Sequence, residues 1–272
     1  GNVVGKEWKQ AVVVENKGAA GGVSAVDAVV KAQPDGYTLL VSAAGVISNS
    51  MIKKTMPFKD DALQPVVMIG LAPSVIVVPK NAPYNNLRDF VEASKKGAGF
   101  NFATAGTGST PHFVAEMLNV KYGAKLQPVP YKSGSESTTA VLGGQVEGTS
   151  EASIIALPHI IHEGKFKPLA TTWTQRISAY PQLSTAVEQG FADLTAEEWF
   201  GFYANAKTPA EVRARAHAAI AAALKSEALK ESVGVVGLIA TSSTPEEMAR
   251  SQQAEFERWG PLVKQIGFTG DS

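Results

Sequence analysis

The 272 residues are 44% hydrophobic, enough for a substantial core and long for a single one, so two domains are expected. Lys plus Arg and Asp plus Glu number 25 each, and no basic stripe is visible, which argues against nucleic acid and toward a small ligand. Cysteine is absent, which excludes disulfides, thiolate metal sites and Cys nucleophiles together.

No run approaches the roughly 18 to 20 apolar residues of a membrane span. The opening "GNVVGKEWKQAVVVEN" carries no charged-then-apolar leader, so an exported form is expected to have lost one. In chain order, strands are predicted at Ala11 to Glu15, Tyr37 to Ser42, Val66 to Leu71, Ser74 to Lys80 and Phe100 to Thr104. Further strands follow at Leu126 to Tyr131, Val146 to Ser150, Pro168 to Thr172, Trp199 to Ala204 and Leu238 to Thr241. Helices fill the gaps, among them Leu87 to Lys96 before Gly97, Glu211 to Lys225 after Thr208-Pro209, and a last long one opened by Thr244-Pro245 with Glu246 and Glu247 in its first turn. Regular alternation predicts an α/β fold built on mainly parallel sheets with crossover helices. Two segments, "SVIVVPKNAPYNN" and "EEWFGFYANAKTP", read as bridges. They divide the chain into 1–79 with 199–272 as one lobe and 80–198 as the other, with two crossing strands as a hinge.

Two glycine turns carry the chemistry, one in each expected lobe. "VVVENKGAAGGVSAVDAVVKA" and "FATAGTGSTPHF" share a plan of strand, glycine-rich turn and helix start. Such a turn leaves backbone N–H groups unpaired at the positive end of a helix dipole, where an anion is favoured. In the second turn Thr104, Thr107 and Ser109 add hydroxyls. A phosphate loop is excluded because no Gly-x-x-x-x-Gly-Lys-Ser/Thr string exists. A dinucleotide turn is disfavoured because Pro111 stands where the third glycine belongs and Leu126 to Tyr131 holds no ribose-binding acid. A carboxylate remains. Ser109 and His112 allow a hydrolase reading, yet Ser109 lacks the flanking glycines of a nucleophile elbow and nothing marks an acid for His112. His159 and His162 match no zinc motif, and a helix end closed by Gly164 accounts for them. Ser42, Glu151 and Trp173 each follow or close a strand, where open α/β sheets place a ligand crevice.

"VVVENKGAAGG", "AQPDGYTLLVS", "ATAGTGSTPHF", "PYKSGSESTTAVLGGQVEG", "LPHI" and "WFGFYANAKTP", in this order, resemble the Bug-type extracytoplasmic solute receptors of tripartite tricarboxylate transporters. The resemblance spans essentially the whole chain. It implies a two-lobed periplasmic binding protein of type II that closes on a small carboxylate, aromatic or dicarboxylic, and delivers it to membrane permease subunits. It also implies a monomer without catalysis or cofactor; a membrane sensor kinase is the alternative partner. The family's ligand loop falls on Thr104, Ala105, Gly106, Thr107, Gly108 and Ser109, and its first-lobe serine on Ser42. Ser150-Glu151 stands where relatives commonly have Phe-Asp, and Trp173 where they often have a small residue, which points to a ligand of different shape. Relatives usually carry a strand and a ligand loop ahead of "VVVEN", where this sequence has "NVVGKEWKQ". Either the first lobe is truncated, without one pocket wall, or that part lies outside this sequence.

Overall fold

A computed structural model describes residues 2–17, 22–43, 51, 56–59, 61–235 and 237–267. In chain order the elements are α1 (Asn2–Trp8), α2 (Val23–Lys31), β1 (Leu39–Ala43), β2 (Leu63–Pro79), α3 (Leu87–Ser94), β3 (Phe100–Thr104), α4 (Thr110–Tyr122), β4 (Leu126–Pro130) and α5 (Gly134–Leu142). There follow β5 (Gly148–Ala152), α6 (Ser153–Ile161), β6 (Phe166–Thr171), β7 (Glu197–Asn205), α7 (Ala210–Leu224), α8 (Glu227–Gly234), β8 (Ile239–Ala240) and α9 (Pro245–Ile266).

β2 organises the molecule. Its first part pairs antiparallel with β7 through Pro73 opposite Glu197, and its last part pairs with β5 and β6 from Ser74 opposite Ala152 onward. The exchange of partners falls at Pro73-Ser74, where a residue without an N–H removes one donor from the ladder. The sequence reading places two strands on either side of this proline. The backbone passes through it extended, as a proline's fixed φ permits, and one 17-residue strand results.

Beyond the exchange point, Val75, Ile76, Val77 and Val78 are fully buried. Ile76 and Val78 join a core with Phe90, Phe102 and Phe113, while Val75 and Val77 join one with Val141, Leu157 and Phe166. The period of two along a strand therefore supplies two cores on opposite faces, and an unbroken apolar run is what a sheet covered on both faces requires. The sheet is mixed. Among the described strands the parallel ladders are β3 with β4 and with β5, beside one isolated parallel bridge between Thr171 and Thr185, whereas β1, β2 and β7 are antiparallel neighbours, so parallel pairs are fewer than expected. Strands joined by crossover helices run parallel, and long strands that pass between the two ladders run against their neighbours.

Residues 11–17, where Ala11 to Glu15 are predicted as a strand, form neither strand nor helix. Val13 and Val14 are 79% and 72% exposed. Their β-branched composition is suited to a strand, but among the described residues no neighbour supplies the ladder that makes one. The first glycine turn, residues 18–21, lies outside the described residues.

α9 is a third crossing that the sequence reading did not include. Near its start Met248 is buried in a core with Tyr203 and Trp199 of β7, and Gln252 reaches the Tyr203 hydroxyl at 3.3 Å. Near its end Trp259 stacks on Phe113 of α4, with centroids 4.8 Å apart and planes 8° from parallel. Thr244 accepts from the Glu247 amide and Glu247 accepts from the Thr244 amide, the capping box that starts this helix where the sequence places it.

Candidate functional site

The loop between β3 and α4 is built as the glycines suggest. Gly106 and Gly108 take φ of 111° and 79°, a region that a side chain with a Cβ rarely enters. The Ser109 amide donates to Gly106 O at 3.2 Å and its Oγ donates to the same oxygen at 2.6 Å. The Gly108 amide donates to His112 Nδ1 at 2.9 Å. Thr104 O accepts from the Tyr131 amide at 2.9 Å, which ties the loop's root to the end of β4. The amides of Ala105, Gly106 and Thr107 find no acceptor among the described residues. They sit at the N-terminus of the 13-residue α4, whose dipole adds positive potential, so the loop is an unsatisfied donor array for an anion.

In this geometry Ser109 and His112 do not hydrogen-bond to each other. The Ser109 proton is directed to a carbonyl, and His112 Nδ1 is already an acceptor for the loop. His112 therefore shapes the turn. Its Nε2 lies 3.7 Å from Glu116 Oε1 one helical turn on. Among the described residues no group of three or more His, Cys, Asp or Glu is arranged to hold a metal ion.

The remaining expected residues are distributed less simply. Ser42 lies on β1 opposite Gly201, in the other ladder, with its hydroxyl 3.3 Å from Ala43 O. Trp173 follows β6, is half-buried, and its amide reaches Thr171 Oγ1 at 3.4 Å. Ser150 and Glu151 are successive residues of β5 and so face opposite sides of the sheet. Ser150 is fully buried with its Oγ 2.6 Å from Ser74 Oγ, on the crossing strand.

Glu151 turns inward against the first turn of α5. Its Oε1 meets Ser137 Oγ and, at 3.1 Å, Thr149 Oγ1. A Cβ on Gly134 would stand 2.5 Å from Oε2, so the carboxyl fits only because that helix begins with glycine. Burial pushes the Glu151 carboxyl up to about 8, opposed by the two hydroxyls and reinforced by the like charge of Glu198. Glu198, on β7 opposite Ala72 of β2, is itself pushed up to about 7 by burial, against a hydrogen bond from Thr110, with Glu255 of α9 adding repulsion. The crossing strand thus touches the first residue of α4, next to the loop.

Residues 2–268 match the family described as the tripartite tricarboxylate transporter family receptor. The chain belongs to this family. The receptor is 30% identical over 262 residues to Protein BugT of Bordetella pertussis, spanning 95% of this chain and 80% of that protein. It superposes on the structure of the periplasmic binding protein BugD with a TM-score of 0.91 at 28% identity, over 98% of the receptor and 91% of BugD. MatC from Rhodopseudomonas palustris, solved with bound malate, gives 0.89 at 26% identity, over 96% and 90% of the two chains. The receptor is a solute-binding protein with the periplasmic-binding-protein fold, and no described helix is long and apolar enough to cross a membrane.

Four residues that sequence reasoning passed over surround the expected ones. Ser137 and Thr149 hold Glu151, Gly134 makes room for it, and Glu198 reaches Thr110. The run "SGSESTT" does carry a local mark: Ser133 accepts from the Glu136 amide as the cap of α5, which fixes Gly134 and Ser137 on the helix's first turn.

Proposed function

We propose that the receptor works in the periplasm as a monomer, capturing a small carboxylate between lobes formed by 1–79 with 199–272 and by 80–198. It passes that ligand to the permease subunits of a tripartite tricarboxylate transporter, without catalysing a reaction and without a cofactor. The observation that carries the reading is the row of unengaged amides at Ala105, Gly106 and Thr107 in front of the α4 N-terminus. A carboxylate there gains charge-assisted bonds, each about 1.5 to 3 kcal/mol, at a place where the backbone otherwise has no partner. The malate in MatC supports the ligand class. In this reading Thr104, Thr107 and Ser109 edge the anion, Ser42 approaches from the other lobe, and Trp173 supplies a ring face. Ser150 and Glu151 act from behind, through the crossing strand and through α5.

Thermal shift and calorimetry with malate, longer aliphatic diacids, benzoate, pyridine carboxylates and amino acids test this. At least one carboxylate should bind, and Gly108→Val should remove its binding. If no carboxylate binds, or the variant keeps full affinity, the loop is not the site. The same panel on Trp173→Ala separates ligand shapes. An aromatic acid should lose about 0.5 to 1.5 kcal/mol more than an aliphatic diacid through the missing ring contact. Equal losses would leave Trp173 as packing.

A further inference from the structure

The carboxyl of Glu151 meets two hydroxyls whose protons can be counted. Glu151 Oε1 touches Ser137 Oγ and Thr149 Oγ1. Each hydroxyl also reaches a backbone carbonyl, Ser137 Oγ at 2.9 Å from Gly134 O and Thr149 Oγ1 at 2.8 Å from Ala103 O. These are four contacts, and two hydroxyls bring two protons. With Glu151 ionised, at least two contacts are oxygen against oxygen with no hydrogen between them. With Glu151 protonated, its own O–H goes to one hydroxyl, both hydroxyls turn to their carbonyls, and three of the four contacts are bonded.

The surroundings favour the same form. Ala103 faces the carboxyl's partners from β3, Gly134 and Ser137 from α5, and Ile155 lies beside Gly134 from α6. The ionisable group that acts on Glu151 is Glu198 of β7, a like charge, with Glu255 of α9 behind it. Among the described residues no Lys, Arg or His forms an ion pair with Glu151. A buried carboxylate without a counter-charge is the costly state, and the neutral acid is the ordinary outcome.

We propose that Glu151 is held as a neutral carboxylic acid and serves as a positioning residue for the ligand loop. Ala103 immediately precedes Thr104, the root of that loop, and the Thr149 hydroxyl is free to hold Ala103 O only while Glu151 does not claim it. Ionisation pulls both hydroxyls toward the carboxylate, slackens the root of the loop, and adds a negative charge behind the strand ends that receive an anion. The receptor consequently releases its anionic ligand as Glu151 loses its proton. This inference rests on the carboxylate reading of the loop for its effect on binding, but not for the state of Glu151 itself.

Two measurements on the full chain test it. In protein labelled with carbon-13 at the glutamate carboxyls, the Glu151 resonance, assigned by its loss in Glu151→Gln, should titrate near pH 8. Titration in the ordinary glutamate range overturns the proposal whether or not any ligand is found. Should Glu151→Gln fail to fold, Glu198→Gln removes the other high-titrating glutamate and assigns the signal by elimination. The second measurement is the Kd for malate, or for the panel acid that binds if malate does not. In the wild type it should weaken by about tenfold between about pH 6.5 and 9, the limit set by proton linkage one unit above the midpoint. In Glu151→Gln, which has no carboxyl proton to lose, the slope over the same interval should be clearly smaller than in the wild type, with Glu198 left as the other glutamate that titrates there. A flat wild-type profile, or an equal slope in the variant, overturns the positioning role. Binding by no acid at all defeats the carboxylate reading instead, and the titration still decides the proton.

Discussion

Gly108 is where a single side chain should matter most in the loop. Its φ of 79° lies in the left-handed region, which costs an L-residue about 1 to 2 kcal/mol and a β-branched one no less. Gly108→Val should therefore lower unfolding free energy by about that amount and also loosen the amide's bond to His112 Nδ1, which chemical denaturation would reveal; unchanged stability would mean that the turn relaxes freely. Glu151 and Glu198 give a pH signature of definite sign. Both have folded-state values raised above the usual 4.5, to about 8 for Glu151 and about 7 for Glu198. Between those limits the folded chain binds more protons than the unfolded one, so stability is greatest below about pH 4.5 on this account and declines as pH rises toward 8. Thermal melts between pH 5 and 8 should show Tm falling, with a shallower slope in Glu151→Gln. A Tm that climbs through this window would contradict both assignments. None of this was visible in the residue list alone: Glu151 could be placed at a strand end from its neighbours. Its partner Ser137 lies fourteen positions away across a helix start, and only the fold sets the distance.

Among elements, the legible ones announce themselves locally. The β3 to α4 turn could be read because glycines, hydroxyls and Pro111 crowd into a few residues, and α9 because Thr244, Pro245 and Glu247 make a cap of four consecutive positions. The misread ones depend on neighbours. Ala11 to Val14 have strand composition without a ladder, and Pro73 looks like a break although β2 runs straight through it. α9 is the clearest instance: its ends are marked, but nothing in an amphipathic pattern tells which core each half joins. The structure divides them, Met248 with β7 and Trp259 with α4. Trp259→Ala should cost about 3 to 5 kcal/mol, as large aromatic truncations in cores do. A double-mutant cycle with Phe113→Leu should isolate a ring coupling of about 0.5 to 1.5 kcal/mol. Strict additivity would show that Trp259 fills space without holding the two elements together.

At the scale of the whole molecule, the question is whether these connections permit the two ladders to move. β2 changes partners at Pro73-Ser74 and β7 passes alongside with Glu197 and Glu198 opposite Pro73 and Ala72, so both strands cross at one level. Rotation about that level needs small backbone changes in two extended strands, the ordinary requirement of a hinge. α9 restrains it, because one rigid helix is fastened to β7 at Gln252 and to α4 at Trp259. In the proposed reading, an anion on the 104–109 loop meets Ser42, which belongs to the ladder of β1 and β7, as the halves approach. The ligand's differential affinity for the closed arrangement is then the free energy that shifts the population. A saturating carboxylate that binds by calorimetry should therefore reduce the radius of gyration in small-angle scattering. Loosening the α9 strut with Trp259→Ala should enlarge the change. An unchanged radius in the wild type, with binding established independently, would mean that the crossing strands are a rigid joint. A change in the wild type that vanishes in the variant would instead make α9 the element that carries the motion.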